Sequence, residues 1–262
     1  MRTHFGIVWI CLPVVISAAE PGPPMEETTR LLERSRSASL EYVKSLPDFT
    51  CTQVVRRFIE LTLPKGWHPV DILTVKLSYV DQNEDRKLVL VNGQPADKPE
   101  ESTGGLVNTG EFGGMLETVF DPASEARFRW ESWQTIGDRP AAVYSYEVDQ
   151  PHSRYSLRIG EQSPSQEVVV GYRGLVAVDR ETGEVLRLVY QASEIPKDFP
   201  IQNVSVTVDY GFANAGGKRY LLPIRSETET RVQGLHKRNQ TEFRDYQKFT
   251  ADSSIQFTGE KQ

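Results

Sequence analysis

After Pro47 the chain reads as one short extended segment after another, with a turn signal in most of the gaps between them. In 72–80, Ile72, Thr74, Lys76 and Ser78 alternate with Leu73, Val75, Leu77 and Tyr79, and Val204, Val206, Val208 and Tyr210 recur at every second position. A period of two puts the two sets of side chains on opposite faces of a sheet. Asn92-Gly93, Ile136 to Pro140, Asp179 to Gly183 and Asn214 to Gly217 are turns short enough to join antiparallel neighbours. Extended segments are expected over 49–63, 72–80, 87–91, 127–135, 141–148, 153–159, 167–178, 184–193, 204–210 and 219–232. Residues 241–249 suit a strand or a helix, because Phe243, Tyr246 and Phe249 are spaced three apart. An antiparallel sheet of about ten strands has to curl, split or close.

A clear helical stripe comes before Pro47. Between Met25 and Leu46, the residues Leu32, Ser35, Ser39, Tyr42 and Leu46 recur at three- and four-residue steps, and Glu26 stands four before Arg30. Pro47 stops the helix. The expected fold class is α+β, predominantly β: a curved antiparallel meander, an incomplete barrel, with the N-terminal helix packed in its concavity. Residues 25–262 are expected to form a single β-rich domain, long enough for a sizeable core.

Residues 1–19 read as a signal peptide. Arg2 and His4 precede an apolar run, Phe5 to Ile16, followed by Ser17-Ala18-Ala19. That run is too short to span a bilayer and has small residues at the cleavage positions. Residues 20–24 are a Pro/Gly linker. The expected address is export, to the periplasm or the extracellular space, with no transmembrane segment after cleavage. Residues 1–19 carry one Arg and no acid, so the processed chain holds 29 Lys and Arg against 36 Asp and Glu. This balance argues against nucleic acid and against an electrostatic dock on an anionic membrane. Cys11 leaves with the leader, and Cys51 then has no partner for a disulfide within the domain.

The signatures of several chemistries are missing. There is no Gly-x-Ser-x-Gly elbow, no Gly-rich loop ending in Lys-Ser/Thr, and no close pair of histidines among His68, His152 and His236. No cofactor, no metal and no catalytic residue is expected. Cys51 reads as a small buried residue, or as a nucleophile if a histidine lies near it in space. Asp179 and Glu181 sit at a hairpin tip, where acids serve turn chemistry.

Two groups can bind a ligand. Residues 101–121 contain Gly104, Gly105, Gly110, Gly113 and Gly114 with Phe112, Met115, Leu116, Val119 and Phe120 among them. This is a flexible loop leading into a short amphipathic helix, either a lid over a pocket or a satellite piece of core. Trp130 and Trp133 precede Tyr144 and Tyr146 on the next strand, as a pocket wall or as core filling. Trp130 shares a strand face with Phe128, whereas Trp133 points away unless a bulge intervenes. Phe112, Met115, Leu116, Phe120, Trp130 and Tyr144 are the candidate ligand-binding residues.

The stretch Gly174 to Leu188, with its turn Asp179-Arg180-Glu181-Thr182-Gly183, is similar to a hairpin of the outer-membrane lipoprotein carrier (Lol-type) superfamily. Leu46-Pro47-Asp48-Phe49-Thr50-Cys51 and Tyr220-Leu221-Leu222-Pro223 resemble stretches of bacterial exported proteins of this build. The resemblance implies an incomplete barrel with helices in its mouth that carries acyl chains or other lipids. The expected function is a non-enzymatic exported protein that binds a lipid, another lipophilic ligand or a lipoprotein in the concave face. An envelope protein-protein interaction or sensory module, and a hydrolase with a dispersed site, are the alternatives. If the leader is cleaved as its pattern predicts, N-terminal sequencing of the exported protein will begin at Glu20; a mature chain still carrying residues 1–19 would refute the expected address.

Overall fold

The computed structural model describes residues 25–96, 100, 110–159 and 166–249. The expected leader and linker lie outside the described residues, as do Gly104 and Gly105. Helix α1 spans Met25–Ser45, with Glu26 and Glu27 in its first turn and Lys44 in its last, each sign matching the helix dipole. Its buried stripe runs Thr28, Leu31, Ser35 and Ser39, with Tyr42 half-buried beyond. Leu31 rather than Leu32 is the leucine of the stripe, because it lies four and eight residues before the two buried serines.

Strands β1 (Phe49–Leu61), β2 (Gly66–Val80), β3 (Asn83–Val91) and β4 (Gln94–Pro95) follow as successive hairpins. Asn92 and Gly93 turn between β3 and β4 with φ of 50° and 78°, the double left-handed geometry that this pair favours. The chain then crosses to the opposite edge of the sheet through helix α2 (Gly114–Phe120). It returns through β5 (Arg127–Ile136), β6 (Arg139–Val148), β9 (Gly171–Asp179), β10 (Val185–Ser193), β11 (Ile201–Ala215), β12 (Lys218–Val232) and β13 (Leu235–Lys248). The sheet order is β4-β3-β2-β1-β13-β12-β11-β10-β9-β6-β5, and every pairing is antiparallel. Strands β7 (Ser156–Ile159) and β8 (Gln166–Val169) form a separate hairpin between β6 and β9. The fold is thus the expected one: mostly β, one wide antiparallel sheet not closed into a barrel, with the N-terminal helix against it.

One expected strand divides in the structure, and the choice left open at 241–249 falls to a strand. Residues 167–178 are two strands, β8 and β9, because the chain turns inward at the fully buried Val170, whose N–H donates to Tyr155 O at 3.0 Å. Residues 241–249 lie mostly in strand β13. One β13 residue is extra where Thr50 pairs with Gln247 but Thr52 with Arg244, and Asp245 there has φ 55°. This bulge brings Phe243 and Tyr246 to one face, where both meet Phe112.

The tightest approach in the sheet is at Gly174, which pairs with Tyr146 on β6 and Tyr190 on β10. The Tyr146 side chain reaches across β9 and donates to Val189 O at 2.7 Å. A Cβ at position 174 would overlap the Val189 carbonyl and sit 2.9 Å from the Tyr146 hydroxyl. Gly174→Ala should therefore destabilise by about 3 kcal/mol, the upper end of ordinary overpacking, and lower the thermal midpoint by roughly 6–12 °C. Gly114→Ala, where a Cβ meets nothing within 4 Å, should be neutral or slightly stabilising in the same melt.

Candidate functional site

The face of the sheet under the two helices is lined by alternate residues of four adjacent strands. Tyr144, Tyr146 and Val148 come from β6, Tyr172, Val176 and Val178 from β9, Leu186, Leu188 and Tyr190 from β10, and Val204, Val206, Val208 and Tyr210 from β11. All belong to one buried cluster with Leu31 of α1 and Met115, Leu116, Val119 and Phe120 of α2. Tyr172 stacks on Tyr190 at 4.5 Å between centroids, and Tyr155 meets both edge-on.

Tyrosine hydroxyls tie the helices to this wall through main-chain oxygens. Tyr144 donates to Thr28 O of α1 at 2.8 Å and Tyr172 to Thr118 O of α2 at 2.9 Å; Tyr210 donates to Glu111 O at 3.1 Å. Thr118 lies in the last turn of α2, where carbonyls have no partner in the helix. Burial pushes the Tyr144 and Tyr172 phenols up to about 12, so they remain donors at neutral pH. Ahead of α2, the Glu84 carboxylate accepts from Gly110 N at 3.1 Å. Burial raises the acid's pKa, and its hydrogen bonds to the backbone at Gly110 and Phe112 and the charge of Arg86 oppose that rise.

Segment 110–121 is pinned at several points yet jointed at its start. Gly110 and Gly113 have φ of 94° and 116°, which a side chain would strain. Burying the four apolar side chains of α2 contributes about 6–12 kcal/mol gross. Ordering its seven backbone residues costs about 7–14 kcal/mol. The two nearly cancel, so a few hydrogen bonds decide whether α2 stays down.

This build has counterparts among solved structures. The chain is similar to a LolA superfamily protein from Nitrosomonas europaea (11% identity, TM-score 0.44, covering 85% of this chain and 93% of that one). It is also similar to a domain described as an outer membrane lipoprotein-sorting protein from Vibrio parahaemolyticus (9%, 0.40, 84% and 92%). A third is a DUF1329 family protein from Desulfovibrio piger (8%, 0.38, 84% and 94%). No family model matches the sequence, and no curated protein matches it.

All six candidate residues lie on the covered side of the sheet, in two groups. Met115, Leu116, Phe120 and Tyr144 are buried together in the main cluster, with Trp130 packed half-buried at its margin. Phe112 belongs instead to an aromatic cluster with Phe49, Tyr79, Phe243 and Tyr246 at the β1–β13 side. The β5 register slips by one residue between Trp130 and Ser132. That bulge turns Trp133 to the same side as Trp130, and the rings meet edge-on at 6.3 Å. Arg180 lies 4.4 Å over Trp133. Sequence reasoning did not single out Tyr172, Tyr190, Tyr210 or Glu84. The recurrence of tyrosine on the valine-bearing face of successive strands was the available signal.

Cys51 is remote from His68 and His236, so it has neither as a base. Cys51 pairs with Leu77 and is 1% exposed in the aromatic cluster, whereas His68 and His236 sit at the other end of β1. Asp179 Oδ1 accepts from Glu181 N, Thr182 N and the Thr182 hydroxyl, and Oδ2 pairs with Arg139 at 2.8 Å, so this acid closes the hairpin turn. Among the described residues no group of three His, Cys, Asp or Glu is placed to hold a metal, and no helix is long and apolar enough to cross a membrane. Burial pushes the Cys51 thiol up to about 12. Its reaction with iodoacetamide at pH 8 should therefore be on the order of a thousandfold slower than that of an open cysteine, and guanidinium should restore it. Peptide mapping reads both states, and rapid native labelling would mean an exposed or activated thiol.

Proposed function

We propose that the protein is an exported, non-enzymatic carrier or binder of a lipophilic ligand, an acyl chain or the lipid of a lipoprotein, held against the concave face of its sheet. The observation that carries this reading is the apolar, tyrosine-lined wall covered by a glycine-jointed helix whose docking terms nearly cancel. Met115, Leu116 and Phe120 fill the concavity when α2 is down. When α2 lifts, the same wall offers valine, leucine and tyrosine side chains to an apolar chain. Trp130 and Phe128 stand beside Phe120 and Tyr144 at the β5 edge, where an open sheet gives access. The leader pattern supports a place outside the cytoplasm.

Native mass spectrometry and lipid extraction of the purified protein test the reading directly: a co-purifying lipid in stoichiometric amount is expected. Tyr172→Phe removes a hydrogen bond worth about 0.5–1.5 kcal/mol that exists only while α2 is docked. A ligand that must displace α2 should then bind roughly two- to tenfold more tightly, read by titration with a fluorescent fatty acid. No extracted lipid together with no saturable binding by either form would sink the proposal.

A further inference from the structure

We propose that the paired tips of the β1–β2 and β12–β13 hairpins form a docking surface for an anionic lipid bilayer. β1 and β13 pair as far as Ile59 and Lys237, so the two turns lie side by side at one end of the sheet. Three leucines stand out there: Leu63 is 88% exposed, Leu235 49% and Leu61 37%, with Val70, 54% exposed, farther back on β2 at the bulge between the Phe58 and Arg57 pairs. Single exposed leucines are ordinary on a soluble surface. These are grouped at the far end of long strands, beyond the last apolar cluster of this half of the sheet, formed by Val55, Leu73, Val75 and Leu88.

The base of the tip is rigid. The Trp67 ring lies 4.7 Å from that of His236 and 4.2 Å beneath the Arg238 guanidinium, and His236 Nδ1 is 2.9 Å from Glu60. Arg57 and Asp71 form a two-point ion pair, both contacts at 2.6 Å. The contacts of His236 and Arg238 join the two hairpins, the Arg57–Asp71 pair ties β1 to β2, and the exposed leucines lie beyond them.

The charge of the tip opposes that of the chain. The whole sequence carries −6. Within the tip, Asp71 is matched by Arg57 and Glu229 by Arg238, while Glu60 beside His236 keeps its negative charge. Lys65, Arg231 and Lys237 make no ion pair among the described residues. Leucines at the extremity with unmatched cations and an indole behind them suit an interface: the apolar ends enter the acyl boundary, and the amines reach anionic headgroups. A protein with a negative overall charge would approach such a surface with this end foremost. The inference does not depend on what the concave face holds.

Co-sedimentation with vesicles tests it. Binding to equimolar phosphatidylglycerol and phosphatidylcholine should exceed binding to phosphatidylcholine alone by roughly tenfold and weaken with added salt. Leu63→Glu and Leu235→Glu should each reduce binding several-fold and together abolish it. Both positions are exposed, so the melting midpoint and fatty-acid titration of each variant should match the wild type. Leu63→Cys, labelled with an environment-sensitive fluorophore while Cys51 stays buried, should shift to the blue on anionic vesicles only. Equal binding to both vesicle types, wild-type binding by the double variant, or an unshifted fluorophore would overturn the proposal. So would capture of an envelope protein by the tip without any vesicle binding.

Discussion

The pairing of β1 with β13 is the constraint on which the rest of the structure depends. It joins the first hairpin series to the last, and so places the start of the sheet in its middle. The chain reaches one edge at β4 and must resume at the other, at β5. The connection has to run across a face, and it runs across the face that α1 also covers. The place of α2 on that face thus follows from strand order. A plain meander, started at one edge, would have no need of such a crossing.

That crossing explains why the covered face is held by hydrogen bonds as well as by packing. α2 has only seven residues, and its apolar burial is nearly offset by the cost of ordering it. The phenols of Tyr172 and Tyr210 and the carboxylate of Glu84 each meet a main-chain group of the crossing segment. Such bonds are worth about 1 kcal/mol each. They are strong enough to bias a nearly balanced equilibrium. α1 is different: it is 21 residues long, its own hydrogen bonds support it, and it joins the wall through Leu31 and the Thr28 carbonyl that Tyr144 bonds.

Much of this was legible in the sequence. The strands announced themselves by period-two alternation and by turns such as Asn92-Gly93, and the helix by its stripe and Pro47. Strand order was not legible, because antiparallel hairpins look alike wherever the series begins. Aromatic residues three apart left two readings open for a physical reason: a bulged strand and a helix both bring positions i and i+3 to one face. Phe243 with Tyr246, and Trp130 with Trp133, are both bulge pairs, and one extra residue per strand carries no compositional mark. For the candidate site, the apolar residues of α2 could be named, but their partners on β9, β10 and β11 required the pairing of strands distant in sequence.

The two surfaces described here answer to different physics, which is why a single chain can carry both. The covered wall is apolar and buried beneath α2. The hairpin tip is exposed, and its grip depends on local charge that the total conceals. A net of −6 excludes broad attraction to an anionic surface. Within about 10 Å, the screening distance at ordinary salt, only the nearest charges count. Lys65, Arg231 and Lys237 therefore govern contact at the tip, while the acids spread over the rest of the molecule keep its other faces off the membrane. Orientation follows from that contrast in sign.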